Sequence, residues 1–599
     1  MSPEPVAGLG IRMIQRPRRG SVVHDDIRHV KPRVLALDFD GTIAVSGAID
    51  ADVVSAIRDA RGAGLLVVLV TGRILSELEG LLRAPAFFDA IVAENGAVLK
   101  FPDSPLTITL SEAPDLRFVA ELESRGIRHQ SGQCLVEADA DAAPQVVDII
   151  RKLGLPLGIT FNLGRLMVLP HGVSKASGLQ EALWRLRASV HNAIAIGNAE
   201  NDHQLLAACE IGAAVAWGSE TLRRNADEVV PGDGPRAVAR YIRDILSIPR
   251  IPPERMGRRR VRLGTLKTGE SLDLAVRGRN ILIGGDPKSG KSWVAGLLCE
   301  QLILQKYSLC ILDPEGDYTC LEALPGVLVQ PLSGQEASFA DVERVLRHPD
   351  LSLVVDMSTA SQGDKPRLVR RLLETVNRQR RASGLPHRVV VDEAHYFLNP
   401  LDAAELFDGE LGGYLLVTYR ISDLSPDVLK ASEAAIVTRV DDRRQALALQ
   451  GLAPRVETTE EWLALLAELA IDEAVLLPGA FESDNSLRRF RVAPRATAHV
   501  RHRQKYADVP VSVEQEFVFT RRGLPTDMRA RSVRELVSAL AGLPDDVVHD
   551  HLARGDFRRW IEDVFGDRDL GRAILHVERG KIANARDELR RAIAERYGD

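Results

Sequence analysis

The chain has 599 residues, 45% of them hydrophobic and 27% charged, which is enough apolar material for several cores and argues against wholesale disorder. Its net charge of −6 gives no global basic field for a nucleic-acid partner, so any such contact must come from a local patch. Five scattered cysteines without a C-x-x-C pair argue against a disulfide framework or a zinc site, and no window approaches an apolar membrane span. A soluble, cytoplasmic protein of about three to five domains is expected.

Residues 1–31 carry Arg12, Arg16, Arg18 and Arg19 without an apolar period and read as a flexible basic arm. Order is expected from Val34-Leu35-Ala36-Leu37, a buried-strand run that delivers Asp38-Phe39-Asp40-Gly41-Thr42. Two carboxylates at i and i+2 just past a strand end point into one cleft, where one can attack and the other can exchange protons. A helix-period segment over 53–60 leads to a strand over 65–70 that ends in Thr71-Gly72-Arg73. Further on come Ala93-Glu94-Asn95-Gly96-Ala97, then Lys175 after His171-Gly172-Val173-Ser174, then Ile194-Ala195-Ile196-Gly197-Asn198-Ala199-Glu200-Asn201-Asp202.

In this order the stretches resemble the four motifs of the haloacid dehalogenase-like (HAD) phosphohydrolases, in the subfamily whose cap is inserted after the second motif. The resemblance implies that Asp38 attacks a phosphomonoester to form an aspartyl-phosphate, while Asp40 acts first as acid and then as base. It also implies that Thr71 and Lys175 hold the phosphoryl oxygens and that Mg²⁺ binds Asp38, the backbone of Asp40, Asn198 and Asp202. Asn198 stands where the family usually has an acid, which lowers the charge of the metal site. A domain that keeps the fold as a non-catalytic sensor is the competing reading. The implied domain is Rossmann-like over 32–247, with a small α/β cap over about 85–170 made of strands near 106–110, 133–137 and 166–169 and a helix over 143–153. Its cap class often handles sugar phosphates, an analogy of fold only.

A proline-rich stretch, Ile248-Pro249-Arg250-Ile251-Pro252-Pro253, marks a domain boundary. Arg258, Arg259, Arg260 and Arg262 follow, as a solvated boundary or as a phosphate-backbone contact. Residues 263–276, with Gly264 and Gly269 at turn positions, suggest a β-hairpin. Beyond the apolar Ile281-Leu282-Ile283, the stretch Gly285-Asp286-Pro287-Lys288-Ser289-Gly290-Lys291-Ser292 fits G-x-x-x-x-G-K-[ST] at every position. Its backbone N–H groups and helix N-terminus suit a polyphosphate, Lys291 reaches the terminal phosphates and Ser292 offers a hydroxyl to Mg²⁺. ATP is therefore the expected ligand.

Strand-like runs at 309–312 and 353–356 precede Val389-Val390-Val391-Asp392-Glu393-Ala394-His395, where an apolar strand delivers two acids. Asp392 would hold the Mg²⁺ shell and Glu393 would activate the attacking water. A strand at 415–417 then delivers Thr418-Tyr419-Arg420. Five strands alternating with helices indicate a parallel, doubly wound sheet over 248–500. With Asp313-Pro314-Glu315-Gly316-Asp317-Tyr318, this set resembles the HerA/FtsK branch of RecA-like motor ATPases. The resemblance implies that Arg420 completes a neighbouring subunit's site, hence a homo-oligomer, most plausibly a ring of six. Tyr419 stands where that family commonly has glutamine. The helix over 366–381 puts Leu368, Leu372, Leu373 and Val376 on one face and its arginines largely off it, which amphipathic packing explains.

Residues 501–599, including Arg501, Arg503 and Lys505, read as a mainly helical accessory module. Ser532 with Glu535 makes a capping box there, and His549 and His551, at i and i+2, do not share a helix face as metal ligands would. The whole is an α/β multidomain chain. The leading expectation is a Mg²⁺-dependent phosphomonoesterase fused to an ATP-hydrolysing motor, with DNA as one partner to test. The alternatives are a kinase–phosphatase pair and an ATP-driven switch gated by a sensor domain. Adjacent Asp392-Glu393 favours activation of water over transfer to an acceptor.

Overall fold

The structure is a computed structural model that describes residues 32–247, 259–497 and 511–597, apart from 83–84, 163, 276–278, 333–338, 362, 451, 453–457, 479–486, 512–514, 566 and 581–583. The basic arm, the proline-rich boundary, Arg258, Arg501, Arg503 and Lys505 lie outside the described residues. Among the described residues no helix is long and apolar enough to cross a membrane.

The N-terminal domain is built on an eight-stranded sheet ordered Glu228–Val230, Ile211–Val215, Ala193–Gly197, Val34–Asp38, Leu66–Val70, Ala90–Ala93, Val98–Lys100 and Thr107–Thr109. The first six are parallel and the last two antiparallel. Val34–Asp38 is buried at all five positions, as a central parallel strand covered on both faces must be. Helix Ala51–Gly62 covers one face with Val53, Ala56, Ile57 and Ala60, spaced at the helical period, and Asp50 caps it by accepting the Asp52 N–H.

The cap is a four-stranded antiparallel sheet, ordered Leu157–Asn162, Arg165–Pro170, Val136–Asp139 and His129–Ser131, under helices Leu116–Ser124 and Ala143–Leu153. It has its own core, in which Phe118, Leu122, Val146 and Ile149 meet Val136, Leu166 and Val168. The expected cap over about 85–170 is therefore too long. Ala90–Ala93 and Thr107–Thr109 are hydrogen-bonded into the main sheet, because their apolar faces extend its edge.

Among the described residues the second domain has an eleven-stranded sheet. The pairing is parallel where Ile281–Gly284 lies between Ala434–Val437 and Tyr414–Thr418, and where Arg388–Val391 lies between Tyr414–Thr418 and Leu309–Asp313. Ser352–Asp356 and Val327–Pro331 follow beyond Leu309–Asp313. Beyond Ala434–Val437 the sheet turns antiparallel through Glu473–Pro478, Arg488–Val492, Arg260–Leu266 and Ser271–Ala275. A wholly parallel sheet was expected, and this annex corrects it. Gly269 does turn the hairpin at φ +87°, but Gly264 sits in a bulged strand where a Cβ would lie 1.8 Å from the Arg491 carbonyl. Its role is close backbone approach rather than a turn.

The two domains meet through polar contacts, buried around His191, Glu210 and Tyr307. The His191 ring stacks on Tyr307 at 3.9 Å, and its two nitrogens lie 3.1 Å from Glu210 Oε2 and 2.9 Å from the Gln305 carbonyl. The Tyr307 hydroxyl donates to Glu210 Oε2 at 2.9 Å, Asn192 donates to the Gly384 carbonyl, and Arg33 donates to that of Arg381. Arg259 donates to the carbonyls of Ala207, Ala208 and Cys209, at the end of helix His203–Ala208, where a cation complements the helix dipole. That basic residue is thus a domain contact.

The C-terminal module consists of the hairpin Phe517–Arg521 with Leu524–Ala530 and five helices from Val533 to Tyr597 around Phe519, Leu536, Phe557, Leu570 and Leu589. Ser532 caps the first helix by accepting the Glu535 N–H. His551 accepts from the Thr520 N–H through Nε2 and bonds Asp556 through Nδ1 at 2.7 Å, so its ring ties the hairpin to the helices. No group of three or more His, Cys, Asp or Glu side chains placed to hold a metal ion occurs among the described residues.

Candidate functional site

Strand Val34–Asp38 ends by delivering Asp38 into a buried site. Lys175 bridges two carboxylates, with its Nζ 2.6 Å from Asp38 Oδ1 and 2.7 Å from Asp202 Oδ1. All three side chains are buried, at 3% exposure for Asp38, 1% for Lys175 and 0% for Asp202. Thr42 donates to Asp38 Oδ2 at 2.9 Å, and Asp202 Oδ2 accepts the N–H groups of Asn198 and Ala199. Burial first, then the neighbouring Asp202, pushes the Asp38 carboxyl up to about 7, against the opposing pull of Lys175. Lys175 is raised, its two carboxylate partners outweighing its burial. It stands at the start of helix Lys175–Arg185, where Ser174 and Ser177 form a reciprocal capping box.

Asp40 is held elsewhere, in a bidentate pair with Arg73 at 2.6 and 2.7 Å. Thr71 is buried, and its hydroxyl accepts the Arg73 N–H, while its carbonyl accepts the Asn95 N–H. The structure therefore joins Asp38, Lys175 and Asp202 directly and ties Thr71 and Asp40 together through Arg73. Sequence reasoning quoted Arg73 but gave it no role. The arginine pairs with a partner thirty-three positions away, which no local pattern reveals.

Glu94 was also left without a role. Its buried carboxylate accepts the N–H groups of Gln133, Cys134 and Leu135 in the cap, while its own N–H donates to the Arg73 carbonyl. It couples the second-motif loop to the cap.

The donors around Asp38 suit a hard divalent cation. They are all oxygens, and Asn198 Oδ1 is buried without a hydrogen-bond partner, as an amide oxygen kept for a cation would be. Asn198 Nδ2 packs over Gly41, which adopts φ +72° and has no room for a Cβ, the nearest atom being only 2.2 Å away.

In the second domain, strand Ile281–Gly284 leads through residues 285–290 into helix Lys291–Leu304. Gly285 at φ +154° and Gly290 at φ +102° let the loop curl, and a Cβ on Gly285 would lie 1.9 Å from Thr438 Oγ1. Ser289 Oγ donates to the Asp286 carbonyl and meets Thr438 Oγ1 at 2.6 Å, which props the loop against strand Ala434–Val437. Lys291 Nζ donates to the Asp286 carbonyl at 2.7 Å. Burial raises the Asp286 carboxyl, which accepts the Asp441 N–H. Pro287, Lys288 and Ser292 complete the loop and the first helical turn.

Strand Arg388–Val391 delivers the buried Asp392 and Glu393, the latter in the left-handed region at φ +50°. On the adjacent strand Tyr414–Thr418, Thr418 is followed by Tyr419 and Arg420. The Arg420 guanidinium lies 5.3 Å from the Tyr419 ring centroid and 4.0 Å from Asp423, 45% exposed, and Lys291 Nζ lies 5.9 Å from the same ring. Phosphate loop, paired acids and Arg420 thus come from neighbouring strands of one sheet.

A phosphate-handling α/β domain with a cap, followed by a second domain bearing a phosphate loop, is the class these features define. The haloacid dehalogenase-like hydrolase family model matches residues 35–116 and 127–242. The model of the helicase HerA central domain matches 261–381, which includes the phosphate loop and stops before Asp392. The chain thus joins an N-terminal haloacid dehalogenase-like hydrolase domain to a HerA-type central domain. It is similar to the phosphoglycolate phosphatases of Methanopyrus kandleri (26% identity, 35% of this chain, 95% of the relative) and Aeropyrum pernix (27%, 37%, 96%). A solved haloacid dehalogenase-like hydrolase from Bacteroides thetaiotaomicron aligns at 19% identity and a TM-score of 0.32, covering 36% of this chain and all of that one.

Proposed function

We propose that the chain combines a Mg²⁺-dependent phosphomonoesterase at Asp38 with an ATPase at Lys291, Asp392 and Glu393. The observation that carries the first half is Lys175 bonded to both Asp38 and Asp202, all three buried. Asp38, the Asp40 carbonyl, Asn198 and Asp202 would hold a Mg²⁺ ion, which would supply positive charge for the phosphoryl transfer. Asp38 attacks phosphorus, so that an Asp38 O–P bond forms as the bond to the leaving oxygen breaks. Asp40 gives that oxygen a proton and later takes one from the water that hydrolyses the aspartyl-phosphate. Lys175 and Thr71 hold the phosphoryl oxygens.

Arg73 points to the class of leaving group. It binds Asp40 in a two-pronged pair, and a carboxylate on the substrate would compete for the same guanidinium and free Asp40 to act as an acid. That favours small phosphorylated acids such as phosphoglycolate, the substrate named for the relatives.

In the second half, the loop 285–290 cradles the ATP phosphates, Lys291 leaves its Asp286 carbonyl for the terminal phosphates, and Glu393 orients water. The Ser292 hydroxyl and Asp392 would hold the nucleotide's Mg²⁺. The domain is read as RecA-like, with Arg420 reaching a neighbouring subunit's nucleotide in a ring of six and duplex DNA as the track. The test is phosphate release by the wild type, Asp38→Asn and Lys291→Ala, with phosphoglycolate, an aryl phosphate and ATP, each with and without duplex DNA. Each substitution is expected to silence its own substrate alone and DNA to speed ATP turnover. ATP turnover indifferent to DNA removes the motor.

A further inference from the structure

We infer that His395 is a positioning residue that ties the turn following Asp392 and Glu393 to the turn carrying Tyr419 and Arg420, an inference that rests on reading this site as an ATPase. His395 follows the paired acids in the short turn Ala394–Tyr396 and is only 4% exposed. Its Nδ1 lies 3.0 Å from Thr418 Oγ1 on the neighbouring strand and 3.7 Å from Glu393 Oε2 on its own side. Thr418 Oγ1 in turn accepts the Arg420 N–H at 3.0 Å. The polar path thus crosses from one strand to the next just beyond their last paired rungs, Val391 with Leu416, at the carboxyl ends where α/β sheets bind ligands.

The ring is fixed by aromatic neighbours just past the ends of both strands, with Tyr396 at 4.1 Å and Tyr419 at 4.7 Å between centroids. Phenylalanine would pack there as well. Yet His395 Nε2 is buried without a hydrogen-bond partner, a condition that costs about 1–3 kcal/mol and is retained in proteins chiefly where the group is used. Burial holds the ring neutral, pushing it down to about 4, with Arg420 and Lys291 adding to the effect and Glu393 and Asp423 opposing it. A neutral imidazole has one donor and one acceptor nitrogen, so Nδ1, which faces both Thr418 and Glu393, and the buried Nε2 take opposite roles. Tyr419 has no amide to make such a link, which leaves His395 to carry it.

The test uses the full chain and compares His395→Phe, which keeps the ring, with His395→Gln, which keeps a donor and an acceptor. Steady-state ATP turnover gives kcat and KM, and binding of a fluorescent ADP analogue reports on the folded site independently. His395→Phe is expected to lower kcat about tenfold, the worth of the one hydrogen bond it makes to Thr418 beside the catalytic carboxylate, with KM and ADP affinity unchanged within about threefold. His395→Gln should restore most of the loss, and adding Thr418→Val to His395→Phe should cost no more than the worse single change, because both break one path.

Wild-type turnover in His395→Phe overturns the inference, and so does a parallel loss of ADP affinity that glutamine fails to rescue. Absence of ATP turnover in the wild type, or turnover that survives Lys291→Ala, overturns the ATPase reading and the inference with it. Turnover that Lys291→Ala abolishes and His395→Phe leaves intact removes the inference alone.

Discussion

The two sites each place a lysine among carboxylates, but they hold it differently. Lys175 is neutralised inside the fold by Asp38 and Asp202, whereas Lys291 rests on the neutral carbonyl of Asp286. The first site is a balanced charge cluster assembled as the domain folds. The second holds its cation at the phosphate loop, where the motif brings the terminal phosphates. A buried cation between two anions is bound up with stability, and one beside a peptide carbonyl is bound up with ligand affinity.

Replacing each lysine by methionine separates these roles most sharply. Lys175→Met leaves Asp38 and Asp202 facing one another without their cation and should lower stability by about 3–5 kcal/mol, as breaking a buried ion pair does. Lys291→Met should stay within about 1 kcal/mol of the wild type while abolishing ATP binding. Denaturant unfolding of both variants without nucleotide checks this. Equal losses would erase the distinction between the sites.

A smaller effect follows from the raised Asp38 carboxyl. Its folded value of about 7 lies above the ordinary 3.8, so between those values the folded state keeps a proton that the unfolded state gives up. Stability contributed by this group therefore falls as pH rises from about 4 to 7 and is level above that. Asp38→Asn removes the dependence. In thermal melts with a chelator present, the variant should gain on the wild type as pH rises through that window, and a gap that does not change with pH would show that Lys175 already neutralises Asp38 fully.

The candidate site residues stand out in the sequence because Asp38 and Asp392 each follow a short apolar run, Val34–Leu37 and Val389–Val391, and Lys291 follows a glycine-rich turn. Strand ends and turn chemistry are local and leave a local signature. What stayed hidden is non-local. Arg73 shows only as a residue after a glycine until the fold brings Asp40 to it, and Glu94 gives no sign in sequence that its carboxylate gathers three cap N–H groups. The antiparallel annex was missed for the same reason. Arg488–Val492 is too charged for a core strand and pairs with Arg260–Leu266 from more than two hundred residues away. The cap limit was misjudged because strand Thr107–Thr109 looks alike in sequence whichever sheet it joins.

The interface between the domains was equally silent in sequence, and it allows the mildest test. Glu210 belongs to the first domain and Tyr307 to the second, and the hydroxyl of the latter donates to the carboxylate of the former. Tyr307→Phe keeps the stacking on His191 and removes that one bond, at a cost of about 1 kcal/mol. The informative quantity is where the cost falls. His191, whose ring meets that of His387 edge-on at 5.5 Å, lies two residues before strand Ala193–Gly197, which leads to Asn198, and His387 immediately precedes strand Arg388–Val391, which leads to Asp392. If the two domains fold as one thermodynamic unit, an ADP analogue that stabilises the second domain must also raise the melting of the first, and Tyr307→Phe must shrink that transmitted shift. Calorimetry in which only the ADP-binding transition moves, in wild type and variant alike, would make the two sites independent neighbours on one chain.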